Sequence, residues 1–169
     1  NQVEYVILPS RISKKIKLKS LKISELVSKS LNHVGLIAVE LFCTHNDDVL
    51  VNEIAPRVHN SGHLTIESCI TSQFEQHIRA IYDMSLGSVK QILPGVMVNL
   101  VGENNHNGEA FYRNIDKAFD LDGVFPHLYG KKITKPNRKM GHITIIDEKL
   151  EKAILKARVL KNKIKIITT

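Results

Sequence analysis

Tryptophan is absent from this 169-residue chain, and phenylalanine and tyrosine together supply only 5% of it. A basic surface so poor in aromatics lacks the stacking platforms that single-stranded nucleic acids need. The chain also lacks a recognition-helix motif and the spaced Cys/His sets of zinc modules. The formal net charge of +7 is therefore assigned to a solvated surface, with lysines concentrated at residues 14–29 and 131–165. Some of that charge also suits ligands that carry phosphates. Only two cysteines, Cys43 and Cys69, are present, too few for a disulfide framework. Both have apolar flanks, so buried thiols in a reducing cytoplasm are expected. No run is apolar enough to span a membrane, and no signal-peptide pattern opens the chain. Repeats and low-complexity segments are missing as well, and no residue pattern marks a covalent nucleophile. At this length the chain holds one ordinary domain or two small ones.

What is present concentrates in Val51-Asn52-Glu53-Ile54-Ala55-Pro56-Arg57-Val58-His59-Asn60-Ser61-Gly62-His63. The acidic end of this run follows an apolar, strand-like segment. The basic end passes through Pro and Gly into a loop. An acidic group beside basic and amide groups suits a metal held against a polyanion. Upstream, Gly35-Leu36-Ile37-Ala38-Val39-Glu40-Leu41-Phe42 carries a second carboxylate in another apolar run.

Residues 35–43 and 49–55 are rich in Val, Ile, Leu and Phe, and Thr44-His45-Asn46-Asp47-Asp48 between them is turn-prone. That pattern predicts a β-hairpin. With residues 45–48 as the loop, Thr44 pairs with Val49 and Glu40 falls opposite Glu53. Directly opposed like charges destabilise a sheet unless a cation compensates. Mg²⁺ takes a few carboxylates together with phosphate oxygens and water. The residues alone leave two readings open: a Mg²⁺–nucleotide site, or two surface glutamates on a solvated hairpin. A slip of one residue would move Glu53 to the other face. Asn52 points to the face opposite Glu53 if the strand is regular.

Apolar spacing predicts a helix over 20–34 through Ile23, Leu26, Val27, Leu31 and Val34. A second helix is expected over 65–82, N-capped by Thr65, with Ile66, Ile70, Phe74, Ile78 and Ile81 forming a core-packing stripe. Strands are expected at 5–9, 96–101, 124–129, 143–146 and 163–167, and a helix at 148–161 with Asp147 and Glu148 at its N-terminus. Gly102–Gly108 reads as a polar loop, and Gly87–Pro94 as a boundary. His63, His77, His127 and His142 are read as structural.

Taken together, the two acidic runs resemble the metal-binding core of the ATP-grasp superfamily, where two acidic residues on adjacent strands hold the Mg²⁺ that bridges ATP phosphates. The resemblance is most specific to the 5-(carboxyamino)imidazole ribonucleotide synthase family. It is carried by Gly35–Phe42, Asn52–Arg57, His59–His63, Thr65–Glu67, Thr71–His77, Arg79-Ala80, Met97–Leu100, Tyr129–Lys131 and Arg138–His142. These runs follow the family's order over most of the chain. Asn60-Ser61 stands where formate-dependent glycinamide ribonucleotide transformylases tend to carry Asp-Thr. Ala55 stands where biotin-carboxylase-type enzymes place Asn. Val58 departs from the usual Pro, which alters loop stiffness more than chemistry.

The resemblance implies an α+β fold: residues 1–92 as the C-terminal lobe of an ATP-grasp domain, an antiparallel sheet with helices, and 93–169 as a small β-rich C-terminal domain closing over the substrate. It implies Glu40 and Glu53 as metal ligands, and Asn52 and Glu53 at the nucleotide. Arg57 would act on the γ-phosphate and the carboxyphosphate. His59 and Asn60 would contact the substrate, and Lys131, Arg138 and Lys139 its ribose 5-phosphate. From the residues alone, that last trio reads as a solvated loop. The implied cofactors are ATP and Mg²⁺, with Mn²⁺ as a substitute. The implied reaction is ATP-dependent carboxylation of 5-aminoimidazole ribonucleotide with bicarbonate, in purine synthesis, by a cytoplasmic homodimer without membrane or nucleic-acid partners. On this reading the chain is the C-terminal part of a longer protein, lacks the first lobe, and is inactive alone. The alternatives are another ATP-grasp ligase of purine synthesis and a basic nucleic-acid-binding module.

Overall fold

Largely buried strands build the central sheet of a computed structural model that describes residues 3–169. Its strands are β1 (Tyr5–Leu8), β4 (Gly95–Val101), β6 (Val124–Leu128) and β8 (Lys139–Ile146), in the order β1-β4-β8-β6 and antiparallel throughout. Register partners share a face. Val96 opposes Ile145, Val98 opposes Ile143, and Val124 also opposes Ile145. These residues form the core with Ala153, Ala157 and Leu160 of helix α5 (Leu150–Lys163). Each fully buried Val, Ile or Leu there contributes about 1.5–3 kcal/mol. The other face carries Met97, Asn99, Thr144 and His142, all buried, with His127 opposite His142. One face of the sheet is thus aliphatic and the other is a buried polar surface.

The chain divides into two compact units that are not contiguous in sequence. The sheet unit comprises the segment through Pro9, residues Glu67–Cys69 and Gln91–Thr169. It includes a second sheet, in which β5 (Gly108–Arg113) pairs with β7 (Ile133–Thr134) and with β9 (Lys165–Thr168). The short helix α4 (Asp116–Phe119) also belongs to it. Because β1 pairs with β4, the first strand belongs here by hydrogen bonding, although it lies far upstream. The strand expected over 143–146 starts four residues earlier, at Lys139, and β5, β7 and α4 carry too little periodicity to be anticipated. The Gly102–Gly108 loop is tied down through Gly102 N–H to Arg138 O and Glu103 N–H to Ile166 O. Lys156 and the Lys149 amide hold the Asp147 carboxyl below its ordinary range. Its contribution to stability is therefore present above the ordinary carboxylate pKa and lost as pH falls through the lowered one.

The hairpin unit comprises Ser10–Ile66 and Ile70–Lys90. Helix α1 (Lys14–Ser30) starts earlier than apolar spacing suggests, because the Ser13 hydroxyl caps it by accepting the Ile16 N–H, and its lysines are good helix formers. Val34 lies beyond its end, exposed. The helix expected over 65–82 is two helices, α2 (Thr65–Ser68) and α3 (Gln73–Ile81). The break comes at Ser72, which adopts an extended conformation and caps α3 by accepting the Glu75 N–H. Thr65 is not the expected N-cap; its hydroxyl donates to Gly62 O and accepts the Gln73 N–H. Replacing Ser72 with Ala is expected to destabilise the protein by about 1 kcal/mol in denaturant unfolding. An unchanged midpoint would show that the break does not depend on this cap.

Two burial expectations are corrected. Ile66, Ile70, Phe74, Ile78 and Ile81 are 39–54% exposed, so the stripe is not packed into a core. A helical period records that a face is apolar, not what covers it. Cys43 is exposed at the end of its strand and Cys69 is half-buried; both are free thiols. Among the described residues no helix is long and apolar enough to cross a membrane.

Candidate functional site

The hairpin forms from β2 (Ala38–Cys43) and β3 (Val49–Ala55). Its turn is built by Thr44, whose hydroxyl accepts the Asn46 and Asp48 amides, and by Asp47 in the left-handed region at φ 62°. Two α1 lysines hold the tip: Lys15 pairs with the Asp47 carboxylate at 3.2 Å, and Lys19 donates to its carbonyl at 2.8 Å. Glu40 stands opposite Glu53, as anticipated, but the route differs. The first pair is Cys43 with Val49, not Thr44 with Val49, and the strand slips one register between Glu40 and Leu41. Asn52 is the extra residue of this bulge. Its side chain therefore does not point away: its amide donates to Glu40 Oε2 at 3.3 Å. A bulge bends the strand and re-aims a side chain.

After β3 the chain turns sharply at Pro56, with Arg57 N–H bonded to Ala55 O at 2.8 Å. The exposed Arg57 guanidinium donates to Val58 O at 2.9 Å. His59 is mostly buried, and its Nε2 lies 3.6 Å from Glu40 Oε1. Its Nδ1 accepts the Ser61 amide at 3.4 Å and meets Ser61 Oγ at 2.9 Å. That network assigns the proton of the neutral ring to Nε2, facing the carboxylate. A single 3₁₀ turn, Asn60–Gly62, follows and places Asn60 next to His59. The hairpin unit thus gathers Glu40, Asn52, Glu53 and His59, and carries Arg57 and Asn60 on the adjoining loop.

One residue that organises this loop was given no role by sequence reasoning. Gln73 is 5% exposed. Its Oε1 accepts the His59 N–H at 2.9 Å, while Nε2 donates to His59 O at 2.8 Å and to His63 Nδ1 at 2.8 Å. Both backbone groups of His59 are thereby held by one side chain. A Cβ on Gly62 would lie 2.4 Å from Gln73 Oε1, so the approach requires glycine. The available signal was a Gln directly after a helix-capping Ser, where a solvent-facing residue would be usual. His63 also stacks on Phe74, and His77 Nδ1 accepts the Leu36 amide at 2.9 Å, both structural uses.

In the sheet unit, Lys131, Arg138 and Lys139 come together around the turn into β8. Lys131 Nζ donates to Lys139 O at 2.6 Å, and Arg138 donates to Ile133 O at 3.1 Å. Asn137 adopts φ 62° and Arg138 N–H bonds to Lys135 O at 3.0 Å, which closes the turn.

Among the described residues no group of three or more His, Cys, Asp or Glu could hold a metal alone. Two opposed carboxylates with an amide and an imidazole nearby form an incomplete ligand set. That chemistry fits Mg²⁺, which draws its remaining ligands from phosphate and water, and does not fit an all-protein cage such as zinc prefers.

Residues 1–74 match the ATP-grasp domain family, and residues 95–156 match the phosphoribosylaminoimidazole carboxylase C-terminal domain family. The N5-carboxyaminoimidazole ribonucleotide synthase of Bacillus subtilis is 43% identical over 142 residues, covering 84% of this chain and 36% of that protein. The crystal structure of N5-carboxyaminoimidazole ribonucleotide synthetase from Thermotoga maritima superposes with a TM-score of 0.93 at 46% identity, covering 98% of this chain and 46% of that one. The Aspergillus clavatus enzyme in complex with ADP and 5-aminoimidazole ribonucleotide matches with a TM-score of 0.83 at 32% identity, covering 94% and 43%. The chain therefore spans less than half the length of these relatives. The match over residues 1–74 makes this an ATP-grasp protein. Within that superfamily, the chain belongs to the N5-carboxyaminoimidazole ribonucleotide synthase family.

Proposed function

We propose that this protein serves the ATP-dependent carboxylation of 5-aminoimidazole ribonucleotide in purine synthesis. The observation that carries this reading is the register of Glu40 against Glu53 on a hairpin that runs into Arg57 and His59. ATP transfers its γ-phosphoryl group to a bicarbonate oxygen, giving ADP and carboxyphosphate. The exocyclic amine of the ribonucleotide then forms the new N–C bond, phosphate leaves, and the amine loses a proton.

Glu40 and Glu53 would hold Mg²⁺, which would supply neutralisation of phosphate charge during phosphoryl transfer. Asn52 orients the Glu40 carboxylate through its 3.3 Å hydrogen bond and borders the nucleotide. Arg57 offers a planar fork to the γ-phosphate and to carboxyphosphate. His59 and Asn60 donate toward the substrate or the reacting carboxylate. Lys131, Arg138 and Lys139 receive the ribose 5-phosphate. The hairpin unit supplies the metal and ATP-phosphate residues, and the sheet unit supplies the cations for the substrate phosphate. Exclusion of water protects carboxyphosphate, which decomposes when exposed. Homodimer assembly and a cytoplasmic setting belong to the same proposal, and the free thiols of Cys43 and Cys69 accord with a reducing compartment.

The test is ADP formation by the complete polypeptide with Mg²⁺ and bicarbonate, with and without 5-aminoimidazole ribonucleotide. Strong stimulation by the ribonucleotide is expected. ATP turnover that ignores it and responds to a different amine or acid would sink the substrate assignment while keeping the ATP-grasp chemistry.

A further inference from the structure

The polar face of the four-stranded sheet carries a connected row of side chains, of which the proposed mechanism uses only the last, Lys131. At one end Glu67, in α2, has a side chain only 9% exposed. Its Oε1 meets His127 Nε2 at 2.7 Å, and its Oε2 is buried without a hydrogen-bond partner among the described residues. His127 and His142 are direct cross-strand partners, and their rings stack at 4.5 Å with an interplanar angle of 10°. His142 Nδ1 meets the Tyr129 hydroxyl at 3.0 Å. Lys131 Nζ lies 5.5 Å from the centre of the Tyr129 ring and donates to Lys139 O at 2.6 Å. Between Tyr129 and Lys131, Gly130 adopts φ +67°, which folds the lysine back over the ring.

We propose that Glu67, His127, His142 and Tyr129 form a positioning relay that sets the Lys131 ammonium for an incoming phosphate monoester. The proposal rests on the reading that Lys131, Arg138 and Lys139 receive a ribose 5-phosphate. Each link restricts the next. The carboxylate fixes the plane of His127, the stack fixes that of His142, and the hydrogen bond to Nδ1 fixes the Tyr129 ring on which Lys131 rests. A lysine side chain has four rotatable bonds and loses much entropy when it is held. A platform that restricts it beforehand leaves less to lose on binding, which raises phosphate affinity without adding a contact. The buried, partnerless Glu67 oxygen is destabilising by itself. The carboxylate is held there by the strong hydrogen bond on its other oxygen.

Tyr129→Phe removes only the hydroxyl and keeps the ring. In the complete polypeptide it is expected to raise KM for 5-aminoimidazole ribonucleotide about five- to tenfold, with kcat and KM for ATP within about twofold. Affinity for ribose 5-phosphate, titrated by calorimetry, is expected to fall by the same factor. His142→Asn, which keeps an acceptor near Nδ1, is expected to retain more affinity than His142→Leu. In a Lys131→Ala background, Tyr129→Phe is expected to have no further effect, since the relay acts through that lysine.

An unchanged KM with a lowered Tm would make the row purely structural and overturn the proposal. So would an equal loss with and without Lys131. If the unaltered polypeptide binds ribose 5-phosphate but the ribonucleotide does not stimulate ADP formation, the assigned reaction fails and the titration still decides the relay. A polypeptide that binds neither ligand overturns both.

Discussion

Glu53→Gln is expected to lower ribonucleotide-stimulated ADP formation by the complete polypeptide by about 10²-fold or more. Glu53 stands opposite Glu40, and no third acidic or imidazole ligand completes a cage among the described residues. If the two glutamates hold the cation as proposed, half of their charge toward it resides in this one side chain. Gln preserves shape and one oxygen but supplies no charge, and Mg²⁺ depends on charged oxygen ligands. Folding should respond in the opposite direction. Removing one of two opposed carboxylates relieves a repulsion, so without metal the variant should be as stable as the unaltered protein or more stable by a few tenths of a kcal/mol. Activity and stability thus move apart, which distinguishes loss of a ligand from loss of fold. Turnover within about threefold of the unaltered protein at saturating Mg²⁺ would remove Glu53 from the metal site.

Gln73→Met should reduce the free energy of unfolding by about 2–3 kcal/mol. The side chains are similar in volume, so the loss comes from hydrogen bonds and not from a cavity. Gln73 serves the His59 N–H, the His59 carbonyl and His63 Nδ1 together. Its loss leaves both backbone groups of a half-buried residue to find water or remain unsatisfied. The effect should extend to activity. His59 Nε2 lies 3.6 Å from Glu40 through a backbone that Gln73 holds, so the imidazole and the carboxylate would lose their alignment. Gly62→Ala should act on the same contact from the other side, because its Cβ would meet the Gln73 amide at 2.4 Å. The two substitutions should be less than additive, since each disrupts one clamp. A denaturant midpoint for Gln73→Met within experimental error of the unaltered protein would show that another element holds the loop.

Much of the hairpin was legible because strand alternation and turn chemistry are local. Val, Ile, Leu and Phe on either side of Thr44–Asp48 mark two strands, and polar turn residues mark the reversal. Opposition of Glu40 and Glu53 was also anticipated, through two differences that cancel. The structural loop is one residue longer than expected, and the bulge at Asn52 restores the register. A bulge leaves no periodic trace in the sequence, so the place of Asn52 beside Glu40 could not be read from alternation. The stripe from Ile66 to Ile81 shows the converse limit. Its spacing was read as one apolar helical face, but the chain breaks between α2 and α3 and leaves Ile70 outside both, and its burial was misread because burial depends on what lies against it.

The histidines divide along the same line. As isolated residues, His127 and His142 carry no chemical signal. They become neighbours only because β6 and β8 pair in a register that sets them face to face. Glu67 reaches His127 across 60 positions of sequence.

The amino-acid sequence by itself determined the family, the two acidic runs and the basic loop, and the strands and helices with strong periodicity. These rest on interactions between residues near one another in the chain, or on motifs whose order is written along it. Tertiary structure alone decided the bulge that brings Asn52 to Glu40, the Gln73 clamp on His59, and the row from Glu67 to Lys131. Each of these depends on the register of strands or on a side chain reaching a distant backbone, and such contacts exist only once the chain has folded.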